Sequence, residues 1–95
     1  MRKRVAVLIR EPERQYEGLR CSLGLLLEGH EVSMFVLDHE ISVSGEYMEN
    51  MELIDEMGGA RYSNHPLNTG RHGFEESPWA KLPGALAAND VIIPF

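Results

Sequence analysis

The chain has 95 residues, enough for one domain with one core, and at this length folding buries only about 60–70% of the unfolded surface. Nine Lys and Arg against fifteen Asp and Glu leave a net charge of -6, which disfavours nucleic-acid binding, because such binders carry basic patches. The single cysteine excludes an intramolecular disulfide framework and fits a reducing compartment.

Arg2-Lys3-Arg4 is the one basic cluster and reads as a solvated segment before an apolar strand. The apolar run behind it, Val5 to Ile9, is shorter than the ~7–15 residues of a signal core. No run reaches the ~18–20 apolar residues that span a bilayer. A cytoplasmic protein without membrane contact is expected.

Val5-Ala6-Val7-Leu8-Ile9 is continuously apolar, the pattern of a strand buried on both faces. Pro12 and its acidic neighbours suit a helix start. The spacing predicts a helix from about Glu13 to Glu28, with Tyr16, Leu19, Leu23, Leu26 and Leu27 on one side. Gly29 is a good stop signal. A second stripe, Gly18, Cys21 and Leu25, reads either as a subunit contact or as a face covered by the same chain.

A second strand is predicted over Val32–Leu37. Ser44 can cap a helix over Glu46–Met57, with Tyr47, Met51, Ile54 and Met57 inward and Glu49, Glu52, Asp55 and Glu56 outward. Gly58-Gly59 ends it. Ala60–Ser63 is a short strand candidate, followed by a thirteen-residue loop, Asn64 to Glu76. A loop of that length in a small domain is usually functional or mobile. Two short helical turns, Pro78–Leu82 and Gly84–Ala88, are predicted on either side of Pro83. Val91-Ile92-Ile93 is another strand.

The alternation of strands and helices predicts a single-domain three-layer α/β/α sandwich. Its sheet should be mainly parallel, with four or five strands. Ligands of such sheets bind beyond the carboxyl ends of the strands. The candidate cleft is therefore Arg10, Glu11, Asp38, His39, Ser63, Asn64 and His65.

The chemistry available is narrow. The turn after the first strand has no glycine, so neither a dinucleotide fingerprint nor a P-loop is present. No cofactor is expected. His65, His72, Glu75 and Glu76 share the long loop, but this spacing lacks the firm ligand set of a metal site, and none is expected. Cys21 lies mid-helix, away from the features that activate a thiol. No serine has an assignable histidine and acid partner.

Tyr16-Glu17-Gly18-Leu19-Arg20 and Leu25-Leu26-Leu27-Glu28-Gly29-His30-Glu31-Val32 resemble the DsrE/DsrF-like family, as do the acidic helix leading to Gly58-Gly59-Ala60 and the stretch Ala88-Asn89-Asp90-Val91-Ile92. The resemblance runs over nearly the whole chain. It implies a small α/β sandwich that assembles as a dimer, trimer or hexamer. It also implies a place in a sulfur relay of the TusBCD kind, with persulfide carried on a cysteine after the third strand. The matching stretch here, Tyr62-Ser63-Asn64-His65-Pro66, has no thiol, and a serine hydroxyl cannot hold a sulfane sulfur. Three functions stay open. The first is a non-catalytic, oligomeric ligand- or partner-binding protein of this family. The second is a persulfide carrier using Cys21. The third is a small enzyme using the His65–Glu76 loop with Arg10 and Asp38.

Overall fold

In the computed structural model, which describes residues 2–95, nine regular elements follow in the order β1 (Arg4–Ile9), α1 (Gln15–Leu27), β2 (Glu31–Val36), α2 (Gly45–Glu56), β3 (Ala60–Ser63), α3 (Pro66–Arg71), β4 (Glu75–Glu76), α4 (Leu82–Ala87) and β5 (Val91–Pro94). The five strands form one sheet in the order β4-β3-β2-β1-β5. Every pairing is parallel, with Val5 opposite Val32 on one side and Val91 on the other. The chain is thus an α/β sandwich with a five-stranded parallel sheet. No helix among the described residues is long and apolar enough to cross a membrane.

The continuous apolar run of β1 has the reason expected for it: the strand sits inside the sheet, between β2 and β5, and presents both faces to protein. Val5, Val7 and Ile9 point to one face with Val32, Met34 and Val36 of β2. That face is covered by α1 and α2, which supply Leu19, Leu26, Tyr47, Met51 and Ile54. Ala6 and Phe35 point to the other face, where Leu82, Ala85 and Leu86 of α4 cover them.

Both long helices end in the same way. Gly29, at φ 92°, and Gly58, at φ 84°, adopt the left-handed conformation that glycine accepts without a Cβ penalty. The next N–H in each case bonds back to the helix, His30 to the Leu25 carbonyl at 3.1 Å and Gly59 to the Ile54 carbonyl at 2.9 Å. This is the Schellman closure, and it turns the chain directly into β2 and β3. At the start of α2, the Ser44 hydroxyl accepts the Tyr47 N–H at 3.1 Å, as its position before the helix predicts.

Three elements differ from the sequence-based expectation. The predicted helix from Glu13 begins as a 3₁₀ turn, Pro12–Arg14, and becomes α-helical only at Gln15. The stretch expected to be one loop, Asn64–Glu76, holds α3 and the two-residue strand β4. Pro66 opens α3, where its missing N–H costs nothing, but the Leu-Asn-Thr-Gly-Arg that follows is poor in helix formers. Pro83 does not separate two turns; it lies in the first turn of α4, directly after the 3₁₀ turn Trp79–Lys81.

Candidate functional site

The strand order places β1 between β2 and β5. The connection leaving β1 turns toward β2 and away from β5, which leaves room beyond the carboxyl ends of β1 and β5, the edge where open α/β sheets bind ligands. A crevice of about 470 Å³ opens there, lined by Arg10, Glu11, Arg14, Asp38, Pro94 and Phe95. The Arg10 N–H donates to the Phe95 carbonyl at 2.8 Å, closing its floor. Arg14 lies over the Phe95 ring, 5.1 Å from the centroid, and reaches Glu17 at 3.3 Å. Arg10 is exposed and makes no ion pair with a described residue.

Asp38 stands opposite. It is the one non-glycine residue among those described with positive φ, at 70°. Asn64 clamps it from both ends: its side-chain carbonyl accepts the Asp38 N–H at 2.8 Å, and its amide donates to the Asp38 carboxylate at 3.0 Å. A left-handed aspartate costs energy that this pair of bonds offsets, and such over-determined residues cluster at functional sites. The crevice thus combines an unpaired guanidinium, a held carboxylate and one aromatic ring face.

Ser63, His39 and His65 do not join them. Ser63 is fully buried. Its hydroxyl donates to the Val36 carbonyl at 2.6 Å and accepts from the His65 N–H and the Asn68 amide, both at 3.0 Å. All its hydrogen-bonding capacity is used, so it cannot act as a nucleophile. Asn68, also fully buried, donates to the His39 carbonyl at 2.8 Å and accepts the Ile41 N–H at 2.9 Å. Together Ser63 and Asn68 latch the 37–41 connection to α3. His65 caps α3, its Nδ1 accepting the Leu67 N–H at 3.2 Å. The His39 ring approaches the Leu37 carbonyl at 3.0 Å through Nδ1, which must therefore carry the proton.

The stripe Gly18-Cys21-Leu25 is not an exposed face. Gly18 is buried against the sheet, and a Cβ there would lie 2.4 Å from Ile9. Leu25 is half-buried and packs on the first core cluster. Cys21 is half-buried, and burial pushes its thiol up from the usual range. That is the opposite of what a sulfur carrier needs, since the thiolate is the reactive form.

The 65–76 stretch is also dispersed. His72 meets Glu40 at 3.2 Å, and Arg71 reaches the same carboxylate at 3.9 Å. The backbone carbonyl of His72 accepts from Arg61, which also forms a two-point pair with Asp55 at 2.8 Å. None of His72, Glu75 and Glu76 lines the crevice of Arg10 and Asp38. No group of three or more His, Cys, Asp or Glu that could hold a metal is present among the described residues.

Sequence reasoning misses Arg14 and Phe95. Arg14 falls inside a predicted helix, and only the 3₁₀ turn brings it over Phe95. Asn68 carries no local signal at all, since its role depends on partners 27 and 29 residues away. Comparison with protein-family models, curated proteins and solved structures finds no match for this chain.

Proposed function

We propose that this chain is a non-catalytic ligand-binding protein of the DsrE/DsrF-like kind, whose crevice beyond β1 and β5 takes a small polar ligand with an anionic group. The observation that carries this reading is the strained Asp38, clamped by Asn64 beside the unpaired Arg10. Arg10 supplies a charge-assisted contact to the anion, and Asp38 orients a donor on the same ligand. The used-up hydroxyl of Ser63 and the raised thiol of Cys21 favour binding over nucleophilic catalysis or sulfur transfer. Amide chemical shifts, followed while acetate, inorganic phosphate and glycine are titrated, test it. At least one probe should saturate shifts at Arg10, Glu11, Asp38 and Phe95. Arg10→Ala should weaken that binding roughly tenfold or more, because a charged hydrogen bond contributes about 1.5–3 kcal/mol. Shifts that never saturate, or that ignore the substitution, rule the reading out.

The same proposal has the protein working as a homo-oligomer. Its support is the exposed apolar side chains of the two long helices: Leu27 at the end of α1 is 70% exposed, and Leu53 of α2 and Met57 directly after it are also exposed. A strictly monomeric species in sedimentation equilibrium would remove this part and leave the crevice reading intact.

A further inference from the structure

The second face of the sheet carries a groove unrelated to the strand ends. It has a volume of about 380 Å³, at the small end of the ~300–1,000 Å³ typical of ligand sites. Its floor is the stacked pair Phe35 and Tyr62, with ring centroids 5.1 Å apart and planes 23° from parallel. Phe35 is buried beneath, while Tyr62 is only half-buried. The far wall is α4 and the turn after it, and the residues there are Ala85 and Ala88. Two methyl side chains opposite two aromatic rings leave a slot. Leucine at either alanine would fill it.

The charged groups of the slot are two cations and one acid. Arg4 and Lys81 line it, and neither has a carboxylate within ion-pair distance among the described residues. One acid, Glu76, stands at the rim. Ser77 is 94% buried and lines the slot. Its N–H is bonded to the Ser63 carbonyl at 2.9 Å, and its hydroxyl has no partner among the described residues. The hydroxyl is not enclosed like the unpartnered Tyr47 phenol, and it is free to donate to a group held in the slot.

We propose that this groove binds a small planar, apolar carboxylate. The flat body lies between the Tyr62 ring and Ala85, where offset stacking and apolar burial act together. The carboxylate takes Arg4 or Lys81 as its counter-charge and accepts from the Ser77 hydroxyl. This site is separate from the strand-end crevice and does not depend on it.

The test uses 2-naphthoate, with naphthalene-2-carboxamide as its neutral counterpart, titrated against the whole protein by calorimetry and by amide chemical shifts. Naphthoate should bind saturably and shift Ser33, Tyr62, Ser77, Ala85 and Ala88, leaving Arg10 and Asp38 unmoved. The carboxamide should bind roughly tenfold more weakly or worse. Ala85→Leu should abolish binding of both. Arg4→Gln with Lys81→Gln should bring naphthoate down to the level of the carboxamide, which keeps the proposal open to refutation if the leucine variant does not fold. Absence of saturable binding overturns it. So does equal affinity for acid and amide, or a set of shifted residues centred on Arg10 and Phe95. Naphthoate affinity that falls as protein concentration rises, with a dimer forming, would assign the groove to a second copy instead.

Discussion

The two faces of the sheet are made by the same strands and finished in different ways. Under α1 and α2, alternate strand residues are large and fully enclosed: Val7, Ile9, Met34 and Val36 have no exposed surface. Under α4, the corresponding residues are Arg4, Ala6, Ser33, Phe35, Ala60 and Tyr62, and the cover is one six-residue helix with a 3₁₀ turn. Ile92 on β5 stays 47% exposed there, and Trp79 is exposed beside α4. A parallel sheet needs both faces covered to be stable. The face under α1 and α2 carries the larger core, and the other holds a smaller one and is left with room beside it. The difference teaches where to look for ligand chemistry and where a substitution will do most harm.

The largest expected effect is on the enclosed face. Ile54 has no exposed surface and sits in the main core cluster. Ile54→Ala should cost about 2–5 kcal/mol, the transfer loss plus a cavity, read as a shift in the urea midpoint. The matching change on the open face, Ile92→Thr, should stay within about 0.5 kcal/mol. Equal losses would mean that the open face is covered in solution, and the contrast would fail.

A smaller effect tests how tightly the closed face is packed. Gly18 of α1 lies on Ile9, with a Cβ placed there 2.4 Å from Ile9 Cγ1 and 2.6 Å from its Cδ1. Ile9 is itself fully buried and has nowhere to move. Overpacking of this kind costs about 1–3 kcal/mol, while alanine improves the helix by up to about 1 kcal/mol. Gly18→Ala should therefore destabilise by about 1–2 kcal/mol, in the same denaturation experiment.

This asymmetry was only partly visible in the residues. The run Val5–Ile9 announces a central strand, and the 3.6-residue spacing of Tyr47, Met51 and Ile54 announces the inner side of α2, because both are local periodicities. The doubled glycines at 58 and 59 mark a helix end for an equally local reason. Gly18 stayed open between a subunit contact and a face covered by the same chain, because a glycine on a helix gives no sign of what lies opposite; the approach of Ile9 places it on the covered side. Arg10, Glu11 and Asp38 line one crevice because they follow the adjacent strands β1 and β2, a placement that topology alone predicts. Ser63 ends a strand and His65 follows it, yet they serve the Asn68 latch, which joins segments that no local pattern connects. The open groove was not legible at all. Tyr62 and Ala85 are each ordinary apolar positions until the short α4 leaves a slot between them, above the buried Phe35.

A buried phenol offers a further check on the closed face. Tyr47 is 1% exposed, and its hydroxyl has no hydrogen-bond partner among the described residues. Tyr47→Phe removes an unpaired polar group from the core and should stabilise by about 1 kcal/mol near neutral pH. Burial raises the Tyr47 pKa, opposed in part by Arg61, above its ordinary 10.0. The folded state therefore keeps a proton that the unfolded chain releases, and stability falls as pH rises above 10. Tyr16, raised by its hydrogen bond to Glu46, acts in the same direction. The variant should lose part of this alkaline slope, seen in thermal melts between neutral pH and about 11. An unchanged slope would place the Tyr47 hydroxyl in contact with water and the helix layer less closed than described.

The smallest effect lies on the cover of the open face and has the opposite sign to its partner on α1. Gly84 is in the first turn and a half of α4, and a Cβ there would meet nothing within 4 Å. Its φ is not in the left-handed range. Gly84→Ala therefore adds helix propensity without a clash and should stabilise by about 0.5–1 kcal/mol. The same substitution, glycine to alanine within a helix, is then harmful on α1 and helpful on α4. The sign is set by what faces each glycine: the filled sheet at Gly18, and open space at the exposed Gly84. If Gly84→Ala destabilises instead, something occupies the space outside α4 that this chain leaves open.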